Sequence, residues 1–214
     1  PAGASPHTFE PTIEQARIIT EAGLFFCIGA GLDDWAASLA DPKDGKPLVI
    51  LLSEYVDLLD SDGLDDITDQ GENDCNHDHD HEEHNHDHDH GTLDPHIWLN
   101  PILVRDNLVP AIYNQLIKIA PDEAEYFSAR KESYIIKLTA LDLEISSALE
   151  NLSTRSFITF HSAWQYFAQR YNLNELAVVA RFPGQEPSAS WVAELVQLIE
   201  TENVKALLAE PQFS

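Results

Sequence analysis

Fourteen residues, His77-Asp78-His79-Asp80-His81-Glu82-Glu83-His84-Asn85-His86-Asp87-His88-Asp89-His90, hold seven of the chain's ten histidines. Every other residue among them is Asp, Glu or Asn. Imidazole is a borderline ligand that suits zinc, copper and nickel, so the tract reads as a segment that captures metal. Histidines alternating with acidic residues make several weak, overlapping sites rather than one closed site. The plain alternative is a disordered, solvated insert with incidental affinity. The other three histidines, His7, His96 and His161, each sit in a loop or at a strand end just before a helix. In open α/β folds ligands bind at the carboxyl ends of strands, so these three are placed to converge on one cleft. Prolines precede His7 (Ser5-Pro6-His7) and His96 (Asp94-Pro95-His96). They fix φ and restrict the residue before them, which holds a ligand rigidly. A lone histidine near a helix start is more often a cap or a packing residue, and the spacing of these three has no zinc-finger pattern.

The elements that must position them alternate along the chain. Thr12 and Gln15 have the form of a capping box, and Ile13, Ala16, Ile19 and Ala22 recur at helical spacing. Leu24 to Ile28 reads as a buried strand, Gly29-Ala30-Gly31 as the turn after it, and Leu48 to Leu52 as a second strand. Asn100-Pro101 is an N-cap followed by proline at the first helical position, opening a helix to roughly Lys118. From Pro121 the apolar positions Phe127, Tyr134, Leu138, Leu141, Ile145, Leu149 and Leu152 follow helical steps. The spacing predicts about 30 helical residues, roughly 45 Å, a length suited to running between two lobes. Ser156 to Phe160 reads as a strand ending at His161, then a helix from about Ser162 to Tyr171 and a strand at Leu176 to Ala180. A helix near Ala189 to Glu202 and a strand from Val204 to Ala209 complete the alternation. The fold class expected is α/β: two Rossmann-like lobes with parallel sheets joined by one long helix. The expected divisions are an N-terminal lobe at 1–119, the connecting helix at 120–152 and a C-terminal lobe at 153–214.

Charge and composition narrow the partners. Of 214 residues 43% are hydrophobic, enough for a core, and the formal net charge is −25. No basic residue falls between Lys46 and Arg105, while 16 acidic residues fall from Glu54 to Asp94. Such acidity argues against nucleic acid and anionic membrane as partners and favours cations. The stretch at about 60–93 cannot bury a core, so a mobile His/Asp-rich loop is expected there. Cys27 lies in the apolar run Leu24-Phe25-Phe26-Cys27-Ile28, where a buried inert thiol is the plainer reading. Cys75 borders the tract, and a disulfide between the two stays open. No apolar stretch reaches the roughly 18 residues that span a bilayer. Both ends read as cut rather than finished, so a piece of a longer protein is expected. No HExxH motif or obvious general base accompanies the histidines, which favours binding over hydrolysis.

Four motifs in order resemble the metal-binding loops of the zinc/manganese substrate-binding proteins of bacterial ABC transporters. They are residues 1–12 (Pro1 to Thr12, with Ser5-Pro6-His7), Asp94-Pro95-His96-Ile97-Trp98-Leu99-Asn100-Pro101, Thr159-Phe160-His161 and Glu210-Pro211-Gln212-Phe213-Ser214. The resemblance covers essentially the whole chain and is closest to the zinc-uptake receptors, whose histidine-rich insert falls where His77–His90 does. It implies that His7, His96 and His161 bind one metal ion. Manganese-binding relatives usually carry Glu at the position of His161, so an all-histidine set implies zinc with manganese second, in line with ligand hardness. The fourth ligand it implies is a carboxylate beyond this chain, or water; Glu210 is not assigned to it. Asp94 and Glu10 are candidates to accept from a ligand imidazole and fix its tautomer, with capping and turn formation as alternative roles. Trp98, Trp164 and Phe182 are read as packing residues, and Arg181 as an exposed or paired charge. The tract (His77, His79, His81, His84, His86, His88, His90) then serves accessory capture. The function implied is zinc capture outside the cytoplasm, periplasmic or membrane-anchored, by a monomer that delivers to an ABC permease. The competing reading is a zinc buffer or metallochaperone working through the tract.

Overall fold

The computed structural model describes residues 9, 11–39, 47–61, 93–180 and 186–209. His7, Glu10, Cys75, the tract His77–His90, Arg181, Phe182 and the motif at 210–214 lie outside the described residues.

The first helix, α1 (Ile13–Glu21), opens on the capping box the sequence announces. The Thr12 hydroxyl accepts from the Gln15 N–H at 3.3 Å, and the Gln15 side chain accepts from the Thr12 N–H at 2.8 Å. Strand β1 (Leu24–Cys27) pairs in parallel with β2 (Leu48–Leu51). Between them the turn at 29–31 runs through positive φ at Gly29, Ala30 and Gly31. Gly29 has a second reason to be glycine, since a Cβ there would lie 2.5 Å from the Ser53 hydroxyl. The Asp33 carboxylate stabilises the turn by accepting from the N–H groups of Ile28 (2.9 Å) and Gly29 (2.7 Å), just ahead of α2 (Asp34–Ala37). Phe9 packs its ring on Trp35 of α2, with centroids 5.8 Å apart.

Asn100 caps the next helix as expected, its side-chain oxygen accepting from Ile102 and Leu103 N–H. That helix is not continuous. Between α3 (Pro101–Leu103) and α4 (Val109–Ile119) the turns widen to a π-helix over Val104–Leu108. Pro110 supplies the cause, because it has no N–H to return to Asp106 and its ring crowds that carbonyl.

The long helix is α5 (Ala124–Ala148), 25 residues, preceded by a 3₁₀ turn at Pro121–Glu123. At 1.5 Å per residue it spans roughly 37 Å, shorter than the sequence predicts. Its buried side also differs from the expected apolar stripe. Tyr134 and Leu141 are exposed, whereas Leu138 and Asp142 are buried. Asp142 receives the Arg170 guanidinium (2.8 and 2.6 Å) and the Tyr171 hydroxyl (3.1 Å). Arg170 holds the Asp142 carboxyl below its usual pKa against the opposing pull of burial. The helix is thus tied to the following segment by a charged, hydrogen-bonded pair.

Three parallel strands follow, β3 (Ser156–His161), β4 (Asn174–Ala180) and β5 (Leu207–Leu208), in the order β4-β3-β5. Helix α6 (Gln165–Tyr171) connects β3 to β4, ending on Asn172 in the left-handed region, and α7 (Ala189–Thr201) leads to β5. The α/β class, parallel sheets and long helix read from the sequence are all present. One buried cluster crosses the fold: Leu52, Ile97 and Leu108 enclose Tyr166 of α6. Cys27 is a buried free thiol, packed with Ile19 and Ala36, and burial pushes its pKa up to about 12. No helix among the described residues is long and apolar enough to cross a membrane.

Candidate metal centre

Asp94 and His96 are two residues apart with proline between, and both are buried. This spacing lets one carboxylate oxygen serve both groups of the histidine. Asp94 Oδ1 accepts from the His96 N–H at 2.9 Å and from the His96 Nδ1–H at 2.7 Å. A proton held on Nδ1 leaves the Nε2 lone pair for a metal, the arrangement in which a carboxylate orients a ligand imidazole. The expectation that Asp94 fixes the His96 tautomer therefore has its geometry in place.

His161 is the last residue of β3, paired with Ala180 at the carboxyl edge of the sheet. Its ring meets the His96 ring at 5.5 Å between centroids and 75° between planes. Two imidazoles binding one tetrahedral zinc at about 2.0–2.1 Å per bond would place their centroids roughly 5 Å apart. The pair is already at that separation. Trp98 closes one flank, its ring 5.2 Å from that of His96. Among the described residues no group of three or more His, Cys, Asp or Glu is gathered for a metal. His7, the third expected ligand, Glu10 and the tract histidines fall outside the described residues, so two of the three expected ligands are seen together.

Tyr166 holds the loop that carries His96. Its hydroxyl donates to the Asp94 carbonyl at 2.9 Å and accepts from the Leu59 N–H at 3.0 Å. The Asp94 N–H in turn donates to the Leu59 carbonyl at 2.8 Å, so one phenol joins the two chain segments that flank the acidic stretch. Burial raises the Tyr166 pKa, keeping the phenol in its donating form.

The sequence reading missed Glu175. It sits on β4, 9% exposed, and hydrogen bonds with the fully buried Thr159 hydroxyl of β3. Burial above all pushes its pKa up to about 7; the Thr159 bond and His96 pull it down, and Asp94 pushes it further up. A charged residue before the apolar run Leu176–Ala180 reads as a loop residue, and only the pairing of β3 with β4 sets it against Thr159, two residues before His161. Among the described residues Asp94 Oδ2, Glu175 Oε2 and Trp164 Nε1 are buried without a hydrogen-bond partner.

Asp94→Asn is expected to weaken zinc binding about tenfold, and Asp94→Ala toward 100-fold, the range typical of carboxylates behind ligand imidazoles. The amide keeps an acceptor for Nδ1–H but loses the charge. A competition titration against a chromophoric chelator measures this, and unchanged affinity in both variants would remove Asp94 from the site.

Parallel sheets joined by helices, with the His161 imidazole at a strand's carboxyl end and the His96 imidazole against it, define an α/β protein with two imidazoles brought together. A family model described as ZnuA, zinc-uptake complex component A, periplasmic, matches residues 1–214. The chain belongs to that family. It is 32% identical to the zinc-binding protein AdcA of Streptococcus pyogenes serotype M3 over 216 residues, covering 100% of this chain and 41% of the relative. It is equally 32% identical to the high-affinity zinc uptake system protein ZnuA of Bacillus subtilis, covering 98% of this chain and 62% of the relative. A crystal structure of ZnuA superposes with a TM-score of 0.78 at 27% identity, covering 100% of this chain and 72% of that one. The chain thus spans less than two thirds of these two relatives' length.

Proposed function

We propose that this chain is the zinc-capturing part of an extracytoplasmic substrate-binding protein that delivers zinc to the permease of an ABC transporter. The observation that carries the reading is the Asp94-oriented His96 meeting His161 at a separation suited to one zinc ion. His7 supplies the third imidazole, and Glu10 accepts from a ligand imidazole. The fourth ligand is a carboxylate from outside this chain, or water. Zinc is the cargo, and manganese is the weaker competitor because the visible donors are imidazoles rather than carboxylates. Zinc-binding and zinc-uptake names among the relatives support the same metal.

The work is binding rather than catalysis, in keeping with relatives named for zinc binding and zinc uptake. Rigidity of the site comes from Asp94 and Tyr166, and α5, tied through Asp142 to α6, limits how far the two sheets can separate. The protein acts as a monomer outside the cytoplasm, where it meets the permease. His77, His79, His81, His84, His86, His88 and His90 concentrate zinc near the site without forming it.

Zinc and manganese titration of the full chain, of a His7/His96/His161 triple alanine variant and of a chain lacking 77–90 tests this reading. One tight zinc site should vanish in the triple variant. The deletion should lower the number of zinc ions bound while keeping the tight site. Equal tight binding in the triple variant would instead make the protein a zinc buffer acting through its tract.

A further inference from the structure

A second buried carboxyl, Glu175, bonds the strand that ends at His161, and the zinc reading above, on which this inference rests, supplies a role for it. Thr159, whose hydroxyl bonds Glu175, is two residues before His161 on β3, and side chains two apart on a strand share a face. Glu175 also lies within the electrostatic reach of Asp94 and His96. Asp94 and Glu175 each keep one buried oxygen without a hydrogen-bond partner among the described residues. Among the described residues the other titratable groups near β4 are engaged or outward-facing. Tyr166 bridges Leu59 and Asp94, Arg170 and Tyr171 hold Asp142, and Glu194 and Glu200 of α7 are exposed.

Charge balance follows from this cluster. With the site empty and its imidazoles neutral, two buried carboxylates would leave two like charges in a low-dielectric interior, and a proton on one relieves them. With a divalent cation bound by neutral imidazoles and, in this chain, by water in the fourth position, Asp94 alone leaves a net positive charge, while Asp94 and Glu175 together cancel it. We propose that Glu175 is the charge-balancing residue of the zinc site: its carboxyl carries a proton while the site is empty, releases it when zinc binds, and takes it back when zinc leaves. The O–H bond breaks with its electron pair staying on oxygen, and the proton passes to solvent. Capture then becomes more favourable as pH rises and release more favourable as pH falls. Glu175 is a positioning group for charge, not a ligand.

Calorimetric titration of the full chain with up to one equivalent of zinc at pH 6, in buffers of differing ionisation enthalpy, counts the protons released. Wild type should release about one more proton per zinc than Glu175→Gln, the count expected for a group near pKa 7 that ionises on binding. The tract is present in both proteins, so its protons cancel in the difference. At pH 8 the variant should hold zinc on the order of tenfold more weakly for each pKa unit by which zinc shifts the group, with the gap narrowing toward pH 5. Equal proton counts with one tight site in both proteins would overturn this proposal and leave the zinc reading standing. No tight site in wild type would overturn the zinc reading itself. If circular dichroism shows Glu175→Gln unfolded, infrared difference spectra of wild type decide: a protonated carboxyl carbonyl band should vanish on adding zinc, and its persistence overturns the proposal.

Discussion

Replacing His161 by Glu should cost more than about 100-fold in zinc affinity while narrowing the preference for zinc over manganese. Losing a direct ligand exceeds the 10–100-fold typical of losing the group behind one. The new carboxylate is a hard oxygen donor, better suited to manganese than imidazole is. It also brings a further carboxyl toward His96 and the Asp94 behind it, which raises the cost of the empty site and favours any divalent cation that fills it. His161→Ala separates the two effects, since it should lose zinc without the relative gain for manganese. Trp98 stands 5.2 Å from the His96 ring and offers a fluorescence reporter for parallel titrations with both metals. Zinc affinity unchanged in both variants would take His161 out of the site.

Tyr166→Ala should destabilise the protein by about 3–5 kcal/mol, as large-to-small changes of buried aromatic residues do. The side chain is 1% exposed and packed with Leu52, Ile97 and Leu108, so the vacated volume sits where the two halves of the chain meet. Tyr166→Phe separates packing from hydrogen bonding. It keeps the ring but leaves the Leu59 N–H and the Asp94 carbonyl short of a partner, a loss of roughly 1–3 kcal/mol. Because Asp94 orients His96, the phenylalanine variant should also bind zinc more weakly than its stability loss alone accounts for. Urea unfolding with and without zinc measures both effects. Equal stabilisation by zinc in wild type and variant would make Tyr166 a packing residue only.

Much of the fold was legible because its signals are local. The capping box at Thr12, the cap at Asn100 with Pro101, and the strand ending at His161 each depend on residues within a turn of one another, and each stands where the sequence places it. The widened turn at Val104–Leu108 was not legible, although its cause, Pro110, is in plain view. A proline near a helix start commonly reads as an N1 residue, and only the preceding Pro101 cap shows that the chain is already helical. The buried face of α5 failed for a different reason. Apolar steps alone put Leu141 inside, but Arg170 and Tyr171 offer Asp142 enough hydrogen bonds to be buried in preference.

By itself the sequence determined the kind of chemistry and the local half of the site. Histidine-rich composition selects a transition-metal cation, and two residues joined by proline are enough to place the Asp94 carboxylate on both His96 N–H groups. Only the tertiary structure decided that His96 meets His161, that Tyr166 spans the segments flanking the acidic stretch, and that Glu175 is buried against Thr159. The reason is physical. A short spacing limits the backbone to a few geometries, so neighbours in the chain reveal their contacts. A contact across two strands or two loops depends on register, packing and burial set by the whole chain, and no spacing in the sequence records it.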